Sequence, residues 1–97
     1  MNPLPPKVRI LQDQEGECIV ASEYIPANNL IGCAYVRDPA APFQGGCIPT
    51  PLGGFLMHSE NPNCMLNTTT SYYMLWNILP LRINEPLTIN FTLYNLF

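Results

Sequence analysis

A chain of 97 residues has room for one hydrophobic core, so a single domain without a separate catalytic or regulatory unit is expected. Only 11% of the residues are charged, against about a quarter in soluble domains. The formal net charge is −3, and the four cations, Lys7, Arg9, Arg37 and Arg82, stand singly, so no basic cluster is available to neutralise several phosphates and nucleic-acid binding is excluded.

Eleven prolines and six glycines cut the chain into pieces too short for stable helices, so a mostly β domain is predicted. Residues 1–6, with three prolines, form an N-terminal extension. Strands are expected over 7–12, 17–22, 29–37, 63–67, 72–79 and 86–94, which are rich in Val, Ile, Thr and aromatic residues. Turn-forming stretches separate them at 13–16, 26–28, 38–46, 59–62 and 84–85. Residues 38–54, with four prolines and four glycines around Phe43 and Cys47, read as one long loop. Such a loop covers a site, arranges an interface or simply connects. Residues 1–97 are read as a single domain.

Hydrophobic residues make up an ordinary 47%, so the shortage of charge is filled by Asn, Thr, Pro and Gly. A weakly polar surface of that kind tolerates contact, and a homo-oligomer is expected. The start of the chain holds no apolar run of signal-peptide length, and the most apolar stretch, 74–83, is broken by Asn77, Pro80 and Arg82. A soluble, intracellular protein with no membrane contact is therefore expected. Cys18, Cys33, Cys47 and Cys64 lie 15, 14 and 17 residues apart. Zinc sites show closer pairing, so no metal is expected. Four cysteines permit three disulfide pairings, and small buried thiols are the simpler reading without a secretion signal.

The string Leu56-Met57-His58-Ser59-Glu60-Asn61-Pro62-Asn63-Cys64 resembles the Asn-His-Ser-x-x-Pro-Asn-Cys signature of SET domains, matching at His58, Ser59, Pro62, Asn63 and Cys64. Further on, Asn84-Glu85-Pro86-Leu87-Thr88-Ile89-Asn90-Phe91 is similar to the family's Gly-Glu-Glu-Leu-Thr-x-x-Tyr segment at Glu85, Leu87 and Thr88. Gly16 and Ala21, followed by Ile25-Pro26 and Leu30-Ile31-Gly32, resemble the family's opening pair of strands. The resemblance implies a SET-like β-clip of short twisted strands, with a knot-like C-terminal segment that brings 58–64 beside 89–94. It also implies an S-adenosylmethionine pocket touched by Gly16, Glu17, Met57, His58 and Asn63, with a lysine-containing peptide or protein entering from the opposite face. Cys64 in some relatives joins a zinc site completed by a cysteine-rich tail. This chain ends in Tyr-Asn-Leu-Phe, so that metal is not expected.

Two positions that the family uses for chemistry differ. Phe91 stands at the reactive tyrosine and has no hydroxyl, and loss of one well-placed polar group at a transition state costs about 3–4 kcal/mol. Tyr94 is the candidate replacement, but positions 91 and 94 of a continuous strand face opposite sides, so a bend between them is required. Met57 replaces the Asn that holds the amino-acid end of the cofactor, and a thioether cannot make those hydrogen bonds. Glu17 and Cys18 occupy the place of a second glycine. His58 lacks a partnered Asp or Cys and reads as a hydrogen-bonded residue that shapes its turn rather than a general base. Asn63 after Pro62 reads also as a turn residue that ties down backbone groups. Three functions remain open. The leading one is a catalytically degenerate SET-like module that binds a partner or oligomerises. The others are an S-adenosylmethionine-dependent protein-lysine methyltransferase, weak or active, and an unrelated β-clip structural or binding domain.

Overall fold

A computed structural model describes residues 4–14, 16–38, 47–69 and 71–94. The chain opens with an antiparallel hairpin of β1 (Val8–Asp13) and β2 (Gly16–Ala21), in unbroken register from Val8 opposite Ala21 to Asp13 opposite Gly16. Gly16 enters β2 at φ 130°, a conformation open to glycine and strained for other residues. Beyond the hairpin, β3 (Leu30–Arg37) pairs with β4 (Cys47–Pro49) on one edge and with β7 (Tyr72–Asn77) on the other. β6 (Cys64–Thr68) adds to β7, giving an antiparallel sheet of order β4-β3-β7-β6. A second small sheet is a parallel pair of β5 (Met57–His58) and β8 (Thr88–Ile89).

The mostly β expectation holds, and four of the six expected strands fall within a residue of the observed ones. The strand expected over 72–79 stops at Asn77, and that over 86–94 does not form as one piece. Only Thr88 and Ile89 are extended in a ladder, and Phe91–Leu93 is a single 3-10 turn. Asn90 causes the change: its side-chain oxygen accepts from the Thr92 amide at 3.1 Å and from the Thr92 hydroxyl at 2.6 Å. Asn competes with the sheet ladder through such local bonds. The long loop expected over 38–54 is also corrected. Residues 39–46 lie outside the described residues, but 47–54 hold β4 and the short helix α1 (Pro51–Gly54). Thr50 caps that helix and Pro51 begins it, the pairing of residues that favours a helix start. Of the expected N-terminal extension, 1–3 lie outside the described residues.

Helix α1 packs tightly on β3. A Cβ on Gly53 would sit 2.0 Å from the Ala34 carbonyl oxygen, so only glycine permits the approach. The buried Tyr35 hydroxyl donates to the Gly53 carbonyl at 3.1 Å, and the Thr50 hydroxyl donates to the Cys33 carbonyl at 2.7 Å. The core between the hairpin, the large sheet and the C-terminal segment includes Ile19, Ile25, Leu52, Leu75, Leu87 and Ile89, all essentially without solvent exposure. Each contributes about 1.5–3 kcal/mol of transfer free energy.

After β7 the chain returns across the hairpin. Asn77, fully buried, holds the crossing: its amide nitrogen donates to the Pro26 carbonyl at 2.7 Å and to the Leu79 carbonyl at 3.0 Å, while its oxygen accepts from the Asn29 amide at 2.8 Å. Leu81 and Ile25 then exchange backbone bonds at 2.8 and 2.9 Å. Next the Glu85 carbonyl accepts from the Ala21 amide, and the Leu87 amide donates to the Ile19 carbonyl. On its other side the same segment gives its Leu87 and Ile89 carbonyls to the amides of Met57 and Ser59. The C-terminal segment is thus held between β2 and β5, which is the closure expected of a β-clip.

Candidate functional site

Asn63 fastens the turn before β6 to the C-terminal segment. Its side-chain oxygen accepts from the Thr88 amide at 2.9 Å, and its side-chain nitrogen donates to the Pro86 carbonyl at 2.9 Å. The Asn63 amide donates in turn to the Thr88 hydroxyl at 3.0 Å. Only 8% of Asn63 is exposed, so these bonds are made largely away from water. The residue therefore acts as the tie that its place after Pro62 suggests, with its amide engaged inside the fold. Cys64 beside it is buried and free. Burial pushes its thiol up to about 12, a hydrogen bond with the Thr88 backbone pulls the other way, and Glu85 adds to the rise.

Above this tie, β5 and the 3-10 turn bring His58 and Phe91 together. The rings stack with centroids 5.9 Å apart and planes inclined by 18°. The Phe91 amide donates to His58 Nδ1 at 3.2 Å. An imidazole nitrogen that accepts a bond carries no proton, so in this arrangement the remaining proton lies on Nε2. His58 is exposed, and its bond reaches the distant Phe91 segment rather than its own turn.

The 3-10 turn breaks the chain direction after Phe91, and Tyr94 follows it as an extended residue. Both Phe91 and Tyr94 pack partly buried against the core. The Tyr94 hydroxyl accepts from the Leu66 amide of β6 at 3.0 Å. It therefore caps the edge of the large sheet, and its own proton stays free to donate.

Gly16, Glu17 and Met57 are exposed. The Ile19 amide donates to the Phe55 carbonyl, which sets the Gly16–Glu17 end of β2 alongside the chain that leads into Met57. A Cβ on Gly16 would meet nothing within 4 Å. In the parallel ladder the amides of Met57 and Ser59 face β8, so the His58 amide and carbonyl, one residue out of phase, point to the opposite edge. A backbone donor and acceptor on that edge are groups of the kind that bond a purine ring. At the other end the fit fails: the half-exposed Met57 offers no hydrogen bond to an amino-acid group, and the nearby Glu17 would repel its carboxylate. The side chains present therefore lack the hydrogen-bonding group that the amino-acid end of S-adenosylmethionine would need.

Among the described residues no buried side-chain polar atom lacks a partner, and no group of three or more His, Cys, Asp or Glu is placed to hold a metal ion. No helix among them is long and apolar enough to cross a membrane. Tyr35 is pushed up to about 12, first by burial and then by Cys47, and it meets Tyr73 edge-to-face at 6.3 Å. Reading the sequence missed Asn77 as a tie, Thr50 as a cap and Thr88 as the partner of Asn63. The Thr50-Pro51 pair was a usable signal for the second; Asn63, the partner of Thr88, and Pro26 and Asn29, two partners of Asn77, lie far away in sequence.

No family model matches the chain, and no curated protein matches it. Among solved structures, it is similar to the crystal structure of a Plasmodium falciparum protein provisionally assigned as a histone methyltransferase. The two share 15% identity with a TM-score of 0.67, over 88% of this chain and 92% of that one. At this identity the likeness speaks for the fold alone, which is all-β and SET-like.

Proposed function

We propose that this SET-like chain transfers methyl groups poorly or not at all and works as a module that binds a protein partner or assembles with itself. The reading rests on Phe91. The residue at the position of the family's reactive tyrosine lies flat on His58 and has no oxygen to direct at a reacting amine. Methyl transfer depends on alignment of a neutral amine and on polar groups around the departing charge. Removing one such group lowers the rate by about 100- to 1000-fold. The hydroxyl of Tyr94, the candidate replacement, accepts a bond from the Leu66 amide of β6.

The second reading, a weak S-adenosylmethionine-dependent protein-lysine methyltransferase, is favoured by the backbone edge of His58 that faces away from β8. Calorimetry with S-adenosylmethionine and S-adenosylhomocysteine separates the two. Absence of binding at millimolar ligand removes the enzyme reading. If either ligand binds, methyl transfer to a lysine peptide by the native chain and by Phe91→Tyr decides. A gain of tenfold or more in the variant supports the weak enzyme, and zero in both supports the module. Brisk turnover by the native chain would overturn the degenerate reading.

A further inference from the structure

An antiparallel sheet with one face in water shows apolar residues inward and polar residues outward. The large sheet does not. On β7 the inward residues are Tyr73, Leu75 and Asn77, all buried, while the outward positions are Tyr72, Met74 and Trp76. The register sets these opposite Val36, Cys33 and Leu30 of β3. The flanking strands continue the pattern, with Ile48 of β4 opposite Val36 and Met65 of β6 opposite Trp76. Asn67 is the one outward residue that breaks it, opposite Met74. Two of the side chains project strongly into solvent, Leu30 at 47% and Tyr72 at 49% exposure. The segment Tyr72–Asn77 thus has the near-continuous apolar sequence of a strand covered on both faces, yet among the described residues its outer face is open.

We infer that this outer face of the β4-β3-β7-β6 sheet is a self-association surface, covered in solution by the same face of a second copy. The inference stands apart from whether the site reacts. Charge selects the occupant. In a two-fold contact each residue meets the same patch on its twin, so a charge near the axis would face its like. No Asp, Glu, Lys or Arg occupies the face, and the nearest, Arg37, follows Val36 and so points to the other side. A foreign partner of opposite charge would find nothing to pair with. Met, Tyr and Trp, which dominate here, are the residues enriched at the centres of interfaces.

The face is small. Four strands about 4.8 Å apart, averaging roughly 18 Å in length, give roughly 300–400 Å² in projection. That matches the larger functional patches on monomers and is about half of what one partner contributes to a standard interface. The assembly is therefore a two-layer sheet packing of modest size.

Trp76, the chain's one tryptophan, lies on the face and reports its coverage. Sedimentation equilibrium and tryptophan emission are measured together on the full chain from about 2 to about 400 µM, which brackets the constants of small interfaces. The expected result is a rise to twice the chain mass with a blue shift of emission at the same midpoint. Leu30→Lys with Tyr72→Lys abolishes both, with far-UV circular dichroism unchanged, whereas Ile83→Lys, an exposed apolar residue outside the sheet, leaves both intact. Should the double variant fail to fold, the joint midpoint of mass and emission in the native chain still decides. Three results would overturn the inference. They are a monomer with blue emission throughout, meaning that the chain covers its own face; a monomer with red emission throughout, meaning that the face stays bare or serves another partner; and a dimer indifferent to the face variants.

Discussion

Replacing Asn63 by Ala removes the acceptor of the Thr88 amide and the donor to the Pro86 carbonyl, both at 2.9 Å, while leaving the backbone bond from Asn63 to the Thr88 hydroxyl. Two backbone groups then lose partners at a residue that is 8% exposed. Each such loss costs about 1–3 kcal/mol when water cannot reach the group. Because Thr88 is only half-buried, the lower part of that range applies, and the sum is about 2–3 kcal/mol. For a domain of this size that is a fall in Tm of about 10–20 °C. Urea unfolding followed by tryptophan emission measures it, with the exposed Asn61→Ala as the reference expected to stay within about 0.5 kcal/mol. Hydrogen exchange adds a local readout, since the Thr88 amide should exchange at least tenfold faster in the variant. A loss below about 1 kcal/mol, or an unchanged Thr88 amide, would refute the view that this side chain fastens the C-terminal segment.

Gly53→Ala places a methyl group 2.0 Å from the Ala34 oxygen and should cost more than about 3 kcal/mol or prevent folding. Gly54→Ala, with nothing within 4 Å, should be neutral or stabilise by up to about 1 kcal/mol; equal effects in thermal melts would contradict the packing of α1. Cys64 titrates near 12 in the fold against an ordinary 9.0, so between those values the folded chain binds more protons than the unfolded one. Stability from this group is complete below pH 9 and is lost as pH rises toward 12. Urea midpoints at pH 8 and 10.5 should fall less for Cys64→Ala than for the native chain, and a parallel fall would count against burial of the thiol. His58→Ala removes the acceptor of the Phe91 amide at an exposed site, and should cost about 0.5–1.5 kcal/mol while speeding exchange of that amide.

The strands of the hairpin and the large sheet were legible because β-branched and aromatic runs alternate with turn residues, and that signal is local. β5 was not: two residues gain their extended form only from β8, which comes 30 residues later. Helix α1 was hidden among prolines and glycines, although Thr50-Pro51 is a start signal. The end of the last strand was misjudged because Asn90, in a run of strand-forming residues, uses its side chain to turn the chain. The resemblance set 58–64 beside 89–94; His58 does meet Phe91 there, whereas Asn63 meets Pro86 and Thr88. What it could not foretell was the division of labour, in which Asn63 ties, His58 stacks and Tyr94 reaches across to β6, because each depends on where a distant backbone group falls.

The placement of Phe91 against His58 carries the functional argument, and a nuclear Overhauser spectrum of the labelled chain tests it most directly. Cross-peaks between the two rings, with the histidine in the Nε2–H form, are the result predicted by the stacked geometry at 5.9 Å. A His58 ring that averages both tautomers and shows no contact with Phe91 would contradict the account, because the C-terminal turn would then not lie over β5.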